Sequence, residues 1–189
     1  MIFIILYLIA TCYYPGGSNF DHSSVRFDWM NNYWCDLTGD TAKNGAANPA
    51  RPIALLAVAI LCISLSVFWY QISGLFTDWI YSSLIRFCGI GSMVGILFLY
   101  TSLHDVVIHV SGALGLIAIL ALIKGLYNNG YLLLFSFGIS CIFLMLVNYG
   151  IYESGFFLHW LPIVQKATFL LFLTWIILVN LSLFVKKLN

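Results

Sequence analysis

Residues 53–73 read IALLAVAILCISLSVFWYQIS, a run with no charged side chain anywhere in it. As a helix, a run of that length rises about 30 Å, the depth of a bilayer's hydrocarbon core. Working outward, Leu84–Ser102, Val106–Leu126, Tyr131–Gly150 and Ala167–Val185 are apolar runs of similar length, with Arg86 and Lys124 their charged residues. A sixth, shorter apolar stretch, Met1–Tyr14, opens the chain. This pattern predicts an all-α, polytopic integral membrane protein: a six-transmembrane-helix bundle with one structured outer loop.

Composition points the same way. Hydrophobic residues make up 62% of the 189 positions and charged residues 8%, against roughly 25% charged in an ordinary soluble domain. A soluble fold with that balance would expose too much apolar surface to stay dispersed. The formal net charge of +1 supplies no clustered Lys and Arg of the kind that nucleic acid requires. One membrane domain over residues 1–189 is the natural count at this length.

Met1–Tyr14 lacks the basic flank and small-residue cleavage site of a secretory signal, and it reads as a retained first helix. Tyr14-Pro15-Gly16-Gly17 stops it. Residues 15–51 then form the one long hydrophilic stretch, with Asp21, Asp28, Asp36 and Asp40 set among Phe20, Phe27, Trp29, Tyr33 and Trp34. A floppy linker is poor in aromatics, so this loop is expected to fold back as a cap, with a short interfacial helix through Val25–Leu37. The remaining helices are expected at 53–73, 84–102, 106–126, 131–150 and 167–185. Leu75–Ser83 reads as a short amphipathic connection, and Tyr149–Gln165 as a loop. Gly91-x-x-x-Gly95 marks a face for close approach by a neighbouring helix within the chain.

Six spans put both termini on one side with Lys124, Lys186 and Lys187, and Arg86 near them. The other side holds Arg26, Lys43, Arg51 and Lys166, the first two deep in the long loop. The positive-inside rule then places both termini in the cytoplasm. Cys12 and Cys35 could pair if they face the same oxidising side, while Cys62, Cys88 and Cys141 read as small apolar packers.

The most unusual stretch for chemistry is Leu103-His104-Asp105-Val106-Val107-Ile108-His109. Asp105 and His109 are four apart and share a helical face, and an ionisable residue within a span is a functional candidate. One reading is a metal or acid–base site, with His104, His109 and His159 as candidate ligands and Asp105 and His109 as candidate catalytic groups. The commoner reading of a single D-x-x-x-H is a structural cap and hydrogen bond. A second cluster joins Asn31–Asp36 to Asn48–Pro52. Its Arg51 suits a phosphate headgroup or an Arg–Asp pair, or serves simply as an interface anchor. Lys166, at the head of the last span, reads as a snorkelling residue. No P-loop, H-E-x-x-H or G-x-S-x-G motif is present, and no motif names a cofactor.

The order of features resembles a family of bacterial six-helix membrane proteins of unknown function. That family is related to the DRAM and Sfk-type proteins and to the GPI-anchor remodelling factors. The resemblance rests on Tyr14-Pro15-Gly16, Asn31-Asn32-Tyr33-Trp34-Cys35-Asp36-Leu37, His104-Asp105 and Gln165-Lys166 before an aromatic-rich span with Trp175. Thr38-Gly39 after Leu37 departs from the family's Asp–Gly spacing. The resemblance implies a bacterial inner-membrane location, a six-helix bundle and a role in lipid organisation or lipid-anchor remodelling.

The expectation that follows is a non-catalytic, lipid-associated membrane protein. Asp36, Arg51, His104, Asp105, His109 and Lys166 would line a headgroup-sized polar pocket at the outer face, with membrane lipids as partners. The alternatives are a metal-assisted intramembrane lipid hydrolase or acyltransferase using Asp105 and His109, and a small transporter or accessory subunit with a protein partner or a second copy.

Overall fold

The computed structural model describes residues 2–99, 101 and 104–188, with the side chains of residue 104 and of 184–188 outside that description. Six α-helices follow one another: α1 (Ile2–Tyr13), α2 (Arg51–Ser73), α3 (Trp79–Ile96), α4 (His104–Asn128), α5 (Leu132–Ser154) and α6 (Leu161–Leu188). Short 3₁₀ turns lie at Trp34–Thr38 and Leu158–Trp160. Five of the helices are long and apolar enough to cross a membrane, and α1 is a shorter apolar helix. The fold is all-α, with the architecture of a multi-pass membrane protein.

The helix ends differ from the sequence expectation wherever a cap decides them. Expected at 84–102, α3 instead starts at Trp79, because the Asp78 carboxylate accepts hydrogen bonds from the Ile80 (2.9 Å) and Tyr81 (3.4 Å) amides. The amphipathic connection expected at Leu75–Ser83 is thus largely the first turn of a helix. At its other end α3 stops at Ile96, and the expected end at Ser102 lies outside the described residues, as does Met1.

The loop expected over Tyr149–Gln165 shrinks in the same way. Helix α5 continues to Ser154 and closes on Gly155, whose φ of 71° suits glycine in a left-handed cap, its amide donating to Ile151 O at 3.1 Å. Helix α6 begins at Leu161 with Pro162 in its first turn, where a missing N–H costs nothing. The interfacial helix expected through Val25–Leu37 reduces to the Trp34–Thr38 turn. Arg26 adopts a φ of 69°, and the Asp28 carboxylate captures the amides of Met30 (2.9 Å) and Asn31 (3.3 Å), diverting the backbone from a helix.

Two compact units divide the chain. The first comprises Met1–Leu61 with Met145–Phe169. Here α1 turns Phe3, Tyr7 and Ala10 inward, and Trp34 stacks against Tyr7 (4.8 Å between centroids) and Phe3 (6.2 Å), with Phe169 tilted beside it at 5.5 Å. The long loop therefore folds onto the apolar helices, as its aromatic content predicts.

The second unit comprises Cys62–Leu144 with Leu170–Asn189. Trp69, Ile72, Ile85, Leu122, Leu126, Trp175 and Val179 are buried in it. The glycine face of α3 meets α4: Ser111 occupies the space a Cβ on Gly95 would need, and Leu114 packs at Gly91. Ser92 Oγ donates to Ser111 O at 2.8 Å across the same seam. The buried Trp175 indole N–H finds Leu134 O, at 2.8 Å, in the first turn of α5.

Candidate functional site

The densest polar arrangement is in the first unit, and it is built around Asn32, which is fully buried. Its carboxamide nitrogen donates to Gly17 O (2.7 Å) and to Asp36 Oδ2 (2.9 Å), while its Oδ1 accepts from the Asp28 amide (2.8 Å). Asp36, 8% exposed, also accepts from the Tyr33 amide (2.9 Å) and pairs with Lys43 at 3.7 Å. A buried carboxylate is tolerated only with partners of this kind. Asn48 Nδ2 shares its hydrogens among the carbonyls of Asp36, Leu37 and Gly39 (3.0–3.2 Å), closing the turn from the other side. At Gly17, with φ 81°, the backbone of Asn44 lies where a side chain would have to go, so glycine alone fits that crossing of the loop.

Helix α6 reaches into this network. Gln165 Oε1 accepts from the Trp34 amide at 3.1 Å, and the Lys166 ammonium donates to Asn32 O (2.5 Å) and Pro162 O (3.0 Å). The same ammonium lies 5.7 Å from the centre of the Phe27 ring, a cation–π distance. Asp28 lies outside the spans, and the hydrogen bond from the Asn31 carboxamide (2.8 Å) leads the causes that hold its carboxyl below the usual value, followed by the backbone amides of Met30 and Asn31.

The expected site residues other than His104 have definite places. Asp36 and Lys166 join one network through Asn32. Arg51 forms the Arg–Asp pair, with Asp40, and its Nε donates to Thr38 O at 3.2 Å. Asp105 and His109 lie in the second unit, exposed at the start of α4, where His109 Nδ1 is 2.6 Å from the Asp105 backbone carbonyl. A carbonyl can only accept, so that ring nitrogen carries the proton. The side chain of His104 lies outside the described residues. His159 sits in the turn before α6, edge-on to Phe20 at 5.0 Å and to Trp160 at 6.2 Å. Among the described residues no three His, Cys, Asp or Glu side chains gather as a metal set. Cys12 and Cys35 carry free thiols, as do the other three cysteines.

Lys43 is the partner that sequence reasoning passed over, because it sits deep in the long loop. The available signal was the buried acid itself, since a carboxylate in an aromatic cap needs a cation. The shallow dent lined by Tyr7, Thr11, Phe27, Trp29, Trp34 and Leu37 in the first unit leaves no enclosed room for a water molecule. None of the expected polar residues lines it.

No family model matches the chain, nor does any curated protein or solved structure.

Proposed function

We propose that this chain is a non-catalytic, lipid-associated membrane protein of six spans with both termini cytoplasmic, whose residues 15–50 form a rigid cap seated in the outer headgroup layer. One observation carries the reading: the first unit presents an exposed aromatic rim. Phe156 is 73% exposed, Phe157 74% and Trp160 57%, and Phe20 and Trp29 are exposed in the cap. Tryptophan concentrates where water gives way to hydrocarbon, because a ring with a polar tip suits both; Trp29 and Trp160 carry that argument, and the exposed phenylalanines add apolar surface that water disfavours. The turn that carries three of them lies between two helices apolar enough to span.

The internal bonding of Asp36, Arg51 and Lys166 supports a cap that holds its shape, since hydrogen-bonded polar networks rigidify. Kinship with the bacterial six-helix family, and with it an inner-membrane location, belongs to the same proposal. The test is quenching of tryptophan fluorescence by phospholipid spin-labelled at shallow depth, in reconstituted vesicles. The intact chain should be quenched markedly more than the Trp29→Phe, Trp160→Phe double variant. Equal fractional quenching of the two would sink the reading.

A further inference from the structure

Arg86 lies about 10 Å along α3 from its first residue, by helical rise, in a helix apolar enough to span a membrane. A charge in such a position is costly and calls for a partner. None of the carboxylates in the described residues supplies one. Asp36 pairs with Lys43 and Asp40 with Arg51. In the second unit the acidic residues are Asp78 and Asp105. The Asp78 carboxylate is engaged by the Ile80 and Tyr81 amides at the start of its own helix. Asp105 stands at the far end of α4. The contacts of Gly95 with Ser111 and Gly91 with Leu114 make α3 and α4 antiparallel, which puts Arg86 level with residues near Ile119, about 20 Å from Asp105 by helical rise.

The guanidinium is nevertheless held firmly. Its Nε donates to Ser73 Oγ at 3.0 Å, and its carbon lies 5.0 Å from the centre of the Tyr70 ring. Ser73 is itself fixed: it is fully buried, its hydroxyl donates to Tyr70 O at 2.8 Å, and its carbonyl accepts from Ser82 Oγ at 2.8 Å. The Nη1 and Nη2 amines take no bond among the described residues, and the side chain is only half-buried. A clamped fork of open donors, with no counter-charge among the described residues, is a ready receptor for a phosphate, which it can meet bidentately.

We propose that Arg86, oriented by Ser73 and Tyr70, binds a phosphate-bearing anion, the headgroup of an anionic phospholipid or free phosphate, at the α2–α3 end of the second unit. A long basic side chain that starts inside a span and reaches toward the headgroups suits that ligand in both length and charge. The residues of this site belong to the second unit and those of the rim to the first, so neither proposal stands or falls with the other.

The test is native mass spectrometry of the full-length detergent-purified protein, loaded with phosphatidylglycerol or, separately, phosphatidylcholine. The intact chain should retain phosphatidylglycerol preferentially. Arg86→Gln should lower its occupancy at least about tenfold, the loss expected for a bidentate charged contact. Ser73→Ala, which releases the guanidinium but keeps its charge, should lower it several-fold, and it is the deciding variant if Arg86→Gln fails to fold. Excess inorganic phosphate that displaces the lipid and leaves its own mass increment identifies the free ion as occupant, and failure to displace identifies the lipid. Equal retention of the two lipids, or retention unchanged in both variants, overturns the proposal.

Discussion

Removing the carboxamide of Asn32 would strip partners from Gly17 O, Asp36 Oδ2 and the Asp28 amide together. Buried groups left unsatisfied cost more than the bond they lose. Asn32→Leu should therefore destabilise the first unit by about 3 kcal/mol, seen as a lower thermal midpoint and faster proteolysis within residues 15–50. Acid should loosen the same cap. Asp28 has a folded pKa held below the ordinary 3.8 by its hydrogen bonds, so the fold favours its carboxylate. That contribution is complete above the ordinary value and disappears as the pH falls below it through the lower folded value. An acid titration of tryptophan emission should show a step in that range, and Asp28→Asn should flatten it. At this scale the sequence was half legible. Two Asn- and Asp-bearing segments stood out, and the structure joins them through Asn48. The place of Lys166 at the head of the last span groups it with Asp36, but its bond to the Asn32 carbonyl, 134 positions away, was not legible, because no local pattern encodes so distant a bond.

Helix existence and helix ends obey different physics. An uninterrupted apolar run such as 53–73 decides α2, and the structure extends it only to Arg51. The ends of α3, α5 and α6 depend instead on Asp78, Gly155 and Pro162, single residues whose capping role shows only when the backbone is traced. The seam between α3 and α4 permits a paired test. Gly95→Ala would drive a methyl into Ser111 and should cost about 1–2 kcal/mol. Gly112, which has open space around it, should accept alanine with a gain of up to about 1 kcal/mol from helix propensity. Thermal melts of the two variants should shift in opposite directions. A Gly95→Ala midpoint that did not fall would mean that α3 and α4 do not meet along this seam.

For the whole molecule, the proposed orientation puts the exposed 44–47 turn outside and the exposed 127–130 turn inside. In a chain whose five native cysteines are replaced by serine, a membrane-impermeant maleimide should label Ala46→Cys in intact cells and Asn128→Cys only after permeabilisation. The reverse pattern would invert the topology. Apolar runs made the architecture legible at this scale, since they need no partner to be recognised. Exposed aromatics such as Phe157 are legible as letters but not as a rim, because exposure is a property of the folded chain. One last consequence concerns the order of events during synthesis. The long loop leaves the ribosome early, yet its bonds to Gln165 and Lys166 close across 131 and 134 positions of sequence. Contacts that distant form late, so the loop waits until almost the entire chain has been made. Until then the Trp34 amide and the Asn32 carbonyl lack their partners on α6, while Asp36 already has its own within the loop. A chain terminated before α6 never gains those two bonds, so the finished loop is a certificate that translation reached the last helix.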